Sequence, residues 1–185
     1  GGYAEYVAVK HDMLMPVPKG LSMVEAAALP EAYATSYLNL FIEGHLKIGQ
    51  TAFIPAGASG LASAVIPMAK AFGLRVITTV LGAEKVKEVA YLNADRVVDT
   101  TVEDIAEVLK EEEANGHPVN IAIDCLAGEA LGRCLKYVAR GCRWIQIASL
   151  AGDMSAVDFR NIFVKNIESF PLLLGKLMIL LSGWP

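Results

Sequence analysis

The residues with the most capacity for chemistry lie together in Ala52-Phe53-Ile54-Pro55-Ala56-Gly57-Ala58-Ser59-Gly60-Leu61-Ala62-Ser63. An apolar run passes there into a turn of small residues and then into a stretch of helical period. This is the setting in which a glycine loop holds a phosphate. Only small residues let the backbone approach a diphosphate, whose charge the free amides and dipole at the start of the next helix then stabilise. The spacing Gly57-x-x-Gly60-x-Ala62 departs from G-x-G-x-x-G, with alanine where a third glycine lets helix and strand pack closest. The alternative is a turn that only packs. The alternating elements on either side favour the phosphate.

A dinucleotide fold that takes NAD places a carboxylate about 20 residues after the loop, where it binds the ribose 2′-hydroxyl. This chain has Thr78-Thr79-Val80-Leu81-Gly82 there, with no acid before Glu84 and with Lys85 following. The missing acid removes repulsion toward a 2′-phosphate and Lys85 supplies a cation for it. The expected cofactor is NADP(H) rather than NAD. The alternative for Lys85 is an ordinary solvated helix residue.

Other constellations fail on order or spacing. Tyr6 and Lys10 have the separation of a Tyr-x-x-x-Lys pair but precede the glycine loop instead of following it. Ser59 lacks the closing glycine of G-x-S-x-G, no lysine follows the loop as in a P-loop, and no His-Glu-x-x-His occurs. His11, His45 and His117 are scattered beside turn residues, and Cys125, Cys134 and Cys142 match no zinc spacing, so no metal is expected. Three cysteines are also too few for a disulfide framework, which points to a reducing, cytoplasmic setting. Met13, Met15 and Met23 read as core gap fillers.

The net charge of −4 argues against nucleic acid as the main partner, because a phosphate-binding face needs a basic excess. The longest apolar stretch, residues 172–181, contains Lys176 and falls short of the ~20 residues that cross a bilayer. No membrane span is expected. The first residue is Gly1 rather than methionine, so the N-terminus is expected to have been lost and no leader can be read.

The elements that must position these residues follow from periodicity. Strands are expected at 52–55, 75–80, 96–98, 120–124 and 143–148, with helices at 59–72, 83–92, 102–114 and 129–138. The strands are mostly continuous apolar runs, as burial on both faces requires, and the alternation implies parallel strands joined by right-handed helical crossovers. Pro67 lies inside the first of these helices, and a kink is expected there. Before the loop, residues 3–9 alternate like one strand without partners. Ser22 and Glu25 form a capping box, and Pro30 should break or restart the helix it opens, with a second stretch running toward Phe41.

Further segments carry a resemblance. Gly1-Gly2-Tyr3-Ala4-Glu5-Tyr6-Val7, Ala26-Ala27-Ala28-Leu29-Pro30-Glu31-Ala32 with Thr35 and Tyr37, Gly57-Ala58-Ser59-Gly60, Ala69-Lys70-Ala71-Phe72-Gly73 and Asp124-Cys125-Leu126-Ala127-Gly128 occur in this order. Together, over about residues 1–166, they resemble the zinc-independent quinone oxidoreductases of the medium-chain dehydrogenase/reductase superfamily. The resemblance implies an α/β fold, a Rossmann-type doubly wound parallel sheet preceded by the tail end of a truncated GroES-like β domain. It divides the chain into a catalytic-domain remnant (1–20), connecting helices (21–50), an NADP-binding domain (51–166) and a divergent apolar tail (167–185).

The same resemblance implies the site. Thr35 would sit near the nicotinamide. Gly57, Ser59, Gly60, Leu61 and Ala62 would form the pyrophosphate loop. Lys85 would take the 2′-phosphate, with Thr79 at the end of the preceding strand, and Ala148, Ser149 and Leu150 would form the turn beside the nicotinamide. The zinc-dependent relatives place a cysteine ligand near Glu31, so no catalytic zinc is implied. Leu81-Gly82 replaces the family's Gly-Ser, Thr100 its tyrosine, Gly60-Leu61-Ala62 its Gly-Val-Gly and Pro67 its glutamine, and each departure weakens NADPH binding as an expectation. From about Glu168 the likeness stops, and the family's sixth strand and dimer-forming edge are expected to be replaced by Phe170-Pro171-Leu172-Leu173-Leu174-Gly175.

The implied activity is hydride transfer from NADPH to a quinone or another activated alkene or carbonyl, including the enones of enoyl reductase domains, with a homodimer for the intact family. No catalytic acid is named. The rival is a cofactor-binding module without turnover. A third reading, a structural role in a hetero-oligomer, rests on the apolar tail.

Overall fold

The computed structural model describes residues 2–171. Six strands, β1 (Thr51–Ile54), β2 (Arg75–Val80), β3 (Arg96–Asp99), β4 (Val119–Asp124), β5 (Val138–Gln146) and β6 (Glu168–Pro171), form one sheet in the order β3-β2-β1-β4-β5-β6. All five neighbouring pairs run parallel. The order reverses between β1 and β4, which opens a crevice at the carboxyl ends of those strands.

Alternation along each strand divides the core between two faces. Ala52 and Ile54 face one cluster, with Val76, Ile121 and Ile145, while Phe53 faces the other, with Ile77, Ala122 and Trp144. Helix α3 (Gly60–Ala71) lays Ala62, Val65, Ile66 and Ala69 on the first face, an i, i+3, i+4, i+7 stripe. Helix α5 (Ile105–Ala114) covers the second with Ile105, Val108 and Leu109. Pro67 lies inside α3, and the helix continues past it to Ala71.

Ahead of the sheet, Ser22 and Glu25 make the expected capping box at α1 (Met23–Ala27). Pro30 stands in the first turn of α2 (Leu29–Tyr37), where its missing N–H costs nothing, and the helix restarts there. Helix α2 packs on α3 and passes into a π-helical stretch, Leu38–Glu43.

Several expectations are corrected. Residues 3–9 form no strand and are exposed, because among the described residues no segment offers their backbone a ladder partner. Met13, Met15 and Met23 are exposed rather than packed in a core. The helix expected at 83–92 is α4 (Ala83–Glu88) followed by a 3₁₀ turn, Ala90–Leu92, which ends where Asn93 turns left-handed. That expected at 102–114 starts later, at α5, because the Asp104 side chain accepts from the Ala106 and Glu107 amides and so fixes the first turn. The helix expected at 129–138 shortens to α6 (Gly128–Gly132) and a 3₁₀ turn, Arg133–Tyr137, after which β5 begins at Val138.

The sheet also runs past residue 166. After α7 (Phe159–Lys165), β6 pairs with β5 in the register Arg143↔Glu168 to Gln146↔Pro171, and an Arg143–Glu168 ion pair holds its start. A sixth strand is therefore present where its replacement was expected. Strand pairing is a backbone property, so a changed side-chain sequence can still complete the edge. The apolar stretch 172–181 lies outside the described residues. Among the described residues, no helix is long and apolar enough to cross a membrane and no three metal-ligating side chains are grouped.

Candidate functional site

At the carboxyl end of β1 the chain turns through Ala56, whose φ is 58°. The turn is tied to β2: the Gly57 amide donates to the Thr79 carbonyl at 2.8 Å, and the Ala56 amide to Thr79 Oγ1 at 3.1 Å. Thr78 in turn donates its hydroxyl to the Ile54 carbonyl at 2.6 Å. A Cβ on Gly57 would stand 2.6 Å from Thr78 Oγ1, so the sheet itself requires a glycine there.

Gly60 differs. A Cβ there would meet nothing within 4 Å, so no packing among the described residues explains the glycine. Ser59 caps α3 by accepting from the Ala62 amide at 3.2 Å, and Ser63 donates its hydroxyl to the Gly60 carbonyl. The amides of Ala58, Gly60 and Leu61 have no hydrogen-bond partner among the described residues. They surround the start of a 12-residue helix, the geometry that stabilises a phosphate anion.

Beside them lies an open cleft of about 310 Å³, lined by the loop from Gly57 to Gly60 and by Ser63, Glu88, Val89 and Tyr91. The bare amides, the open space at Gly60 and the room beside them fit a diphosphate. Leu61 is half-buried, and Ala62 is buried on the sheet.

At the end of β2, Gly82 turns with φ 95° and donates its amide to Asp99 Oδ1 at 2.8 Å. The same oxygen accepts from the Thr101 hydroxyl and amide, which hold the Asp99 carboxyl below the usual range. A carboxylate thus does stand at this turn, brought from β3. Lys85 lies in α4 with its Nζ 2.6 Å from Glu88 Oε2. The lysine expected to supply a cation is therefore in an ion pair.

On the other side of β1, Cys125 Sγ lies 4.0 Å from the Pro55 carbonyl. Asp124, at the end of β4, is 1% exposed. Its Oδ1 accepts from the Leu126 and Ala127 amides at 2.8 and 2.9 Å, and its Oδ2 from Trp144 Nε1 at 3.1 Å. Burial nonetheless pushes this carboxyl above the usual range.

Gln146 donates to the carbonyls of Asp124 and Ala148, and the Ile147, Leu150 and Ala151 amides donate to Asp124, Cys125 and Leu126. Ser149 bonds Asp153, and Leu150 is exposed. Ala148, Ser149 and Leu150 are therefore laced to the turn after β4, along the same sheet edge as the glycine loop. Thr35 stands apart. It is buried in α2, with its hydroxyl donating to Glu31 at 3.4 Å, and among the described residues no hydrogen bond joins it to the loop.

Burial pushes the Cys134 and Cys142 thiols up to about 12, so neither is a ready nucleophile. Sequence reasoning missed the roles of Asp99, Gln146 and Glu88. It quoted Asp124 without giving it one, although an aspartate ending a buried apolar strand must find donors.

The sequence model of the zinc-binding dehydrogenase family matches residues 60–179. The chain is 31% identical over 179 residues to a quinone oxidoreductase-like protein 2 homolog of Nematostella vectensis, covering 95% of this chain and 48% of that protein. It is 29% identical over 147 residues to a phenolphthiocerol/phthiocerol polyketide synthase of Mycobacterium tuberculosis, covering 80% of this chain and 7% of the other. Among solved structures, the quinone oxidoreductase of Thermus thermophilus, described together with its NADPH complex, superposes with a TM-score of 0.80 at 28% identity. That match covers 99% of this chain and 60% of the other. The chain spans about half the length of the Nematostella relative.

Proposed function

The chain belongs to the zinc-binding dehydrogenase family, on the quinone oxidoreductase side of the medium-chain dehydrogenase/reductases, and from that premise we propose that it binds NADP(H) for hydride transfer to a quinone or another activated alkene or carbonyl. When bound, the nicotinamide supplies the hydride. The observation that carries the reading is the bare start of α3, with three amides unpartnered among the described residues and a glycine whose missing Cβ would meet nothing there.

In this reading the amides of Ala58, Gly60 and Leu61 hold the diphosphate, with Ser59 fixing the first turn of the helix. Lys85 meets the 2′-phosphate. The turn of Ala148, Ser149 and Leu150 flanks the nicotinamide, kept in place by Gln146 and the turn after β4. Thr35 belongs to the nicotinamide side through α2. A quinone's oxygens are already strong electron sinks, so the protein's task is to orient donor and acceptor and to exclude water. The proton that follows the hydride comes from water or from a domain beyond these residues.

Residues 1–20 would be the end of a GroES-like domain that completes the substrate side. The Thermus NADPH complex supports the cofactor, and the polyketide synthase relative keeps the enone acceptor open. A zinc-free site, cytoplasmic residence and, for the intact family, a homodimer belong to the same proposal. The rival is a binding module without turnover.

The test is titration with NADPH followed by the bleaching of a quinone. Binding with turnover supports the enzyme, binding without turnover supports the module, and no binding overturns both.

A further inference from the structure

Glu88 ends α4 and lines the same cleft as Gly57 and Gly60. Its carboxylate is 2.6 Å from Lys85 Nζ, with the two side chains 56% and 48% exposed. We propose that Glu88 is a positioning residue that sets coenzyme preference: it holds Lys85 in an ion pair that a 2′-phosphate must break, and so restrains the preference for NADPH over NADH. This rests on the cofactor reading above.

The two anions compete for a single point charge. A phosphate dianion needs the Lys85 ammonium, which the Glu88 carboxylate already engages, and a negative group on the cleft wall also repels it. NADH presents a neutral 2′-hydroxyl, which suffers neither effect and can donate to a carboxylate. Asp99, another carboxylate near this end of the site, has Oδ1 committed to the Gly82 amide and to Thr101. Glu88 is thus the acid whose partner is the cofactor's own ligand.

The test is fluorescence titration of the full chain with NADPH and with NADH, for the native sequence, Glu88→Gln, Lys85→Ala and the double variant. Both positions are exposed, so the variants keep the core. For an exposed pair the expected rise in the NADPH-over-NADH affinity ratio on Glu88→Gln is about two- to fivefold. It is expected to shrink in the Lys85→Ala background, because Glu88 acts chiefly through Lys85. An unchanged ratio, a shift toward NADH, or the same rise without Lys85 overturns the proposal while leaving the cofactor reading standing. If the native chain binds neither nucleotide, the cofactor reading falls and this proposal with it.

Discussion

Gly57 and Thr78 meet so closely that a Cβ on the glycine would stand 2.6 Å from the threonine Oγ1, whereas three residues on, Gly60 faces open space. The loop therefore holds two glycines with different reasons to exist. One serves the sheet, and the other serves whatever approaches the helix.

Gly57→Ala is expected to destabilise the fold, since the threonine it would strike is buried and bonded to Ile54. Overpacking of this kind costs about 1–3 kcal/mol. Denaturant unfolding checks it, and native stability in the variant would contradict the close approach.

Gly60→Ala is expected to do the reverse. Alanine should leave stability unchanged or raise it by up to about 1 kcal/mol, as for a glycine replaced inside a helix. NADPH affinity should nevertheless fall about tenfold, a loss of about 1.4 kcal/mol. Paired unfolding and binding curves read both effects, and an unaltered affinity would remove Gly60 from the site.

Lys85→Ala is expected to weaken NADPH about tenfold while sparing NADH, as loss of one phosphate contact would. Equal affinities for the two nucleotides, untouched by the substitution, would remove the 2′-phosphate assignment.

Asp124→Asn is expected to cost about 1–3 kcal/mol, because an amide nitrogen cannot accept the buried Trp144 N–H and leaves it unpaired. The native aspartate also sets a pH dependence. Burial raises its folded pKa above that of an unfolded aspartate, so the folded state binds the proton more tightly than the unfolded one. Its contribution is most favourable below the unfolded pKa and declines as pH rises through the raised folded one. Carboxyls held low, such as Asp99, give the opposite slope, so the decline should appear in the stability difference between the native chain and the variant, measured by unfolding curves from acid to neutral pH.

The parallel sheet and the placing of the loop were legible because buried strands write continuous apolar runs and α3 writes an i, i+3, i+4, i+7 stripe. What stayed hidden depends on partners distant in sequence or on backbone alone. β6 is held by pairing to β5 and by the Arg143–Glu168 ion pair, neither of which leaves a periodic trace. Alternation at residues 3–9 looks like a strand, yet alternation describes one face and says nothing about a ladder partner.

At the candidate site, spacing could locate Lys85 but not its ion pair with Glu88. It could find no acid after β2 because Asp99 arrives from β3. The Gln146 latch was invisible for the same reason, since its two acceptors lie on different segments.

The most direct measurement follows the backbone amide resonances of the chain during titration with NADPH. The amides of Ala58, Gly60 and Leu61 are predicted to move first and furthest, as a diphosphate takes up their hydrogens. If the nucleotide binds while these three stay still, the loop does not hold its diphosphate and the proposed site is wrong at its centre.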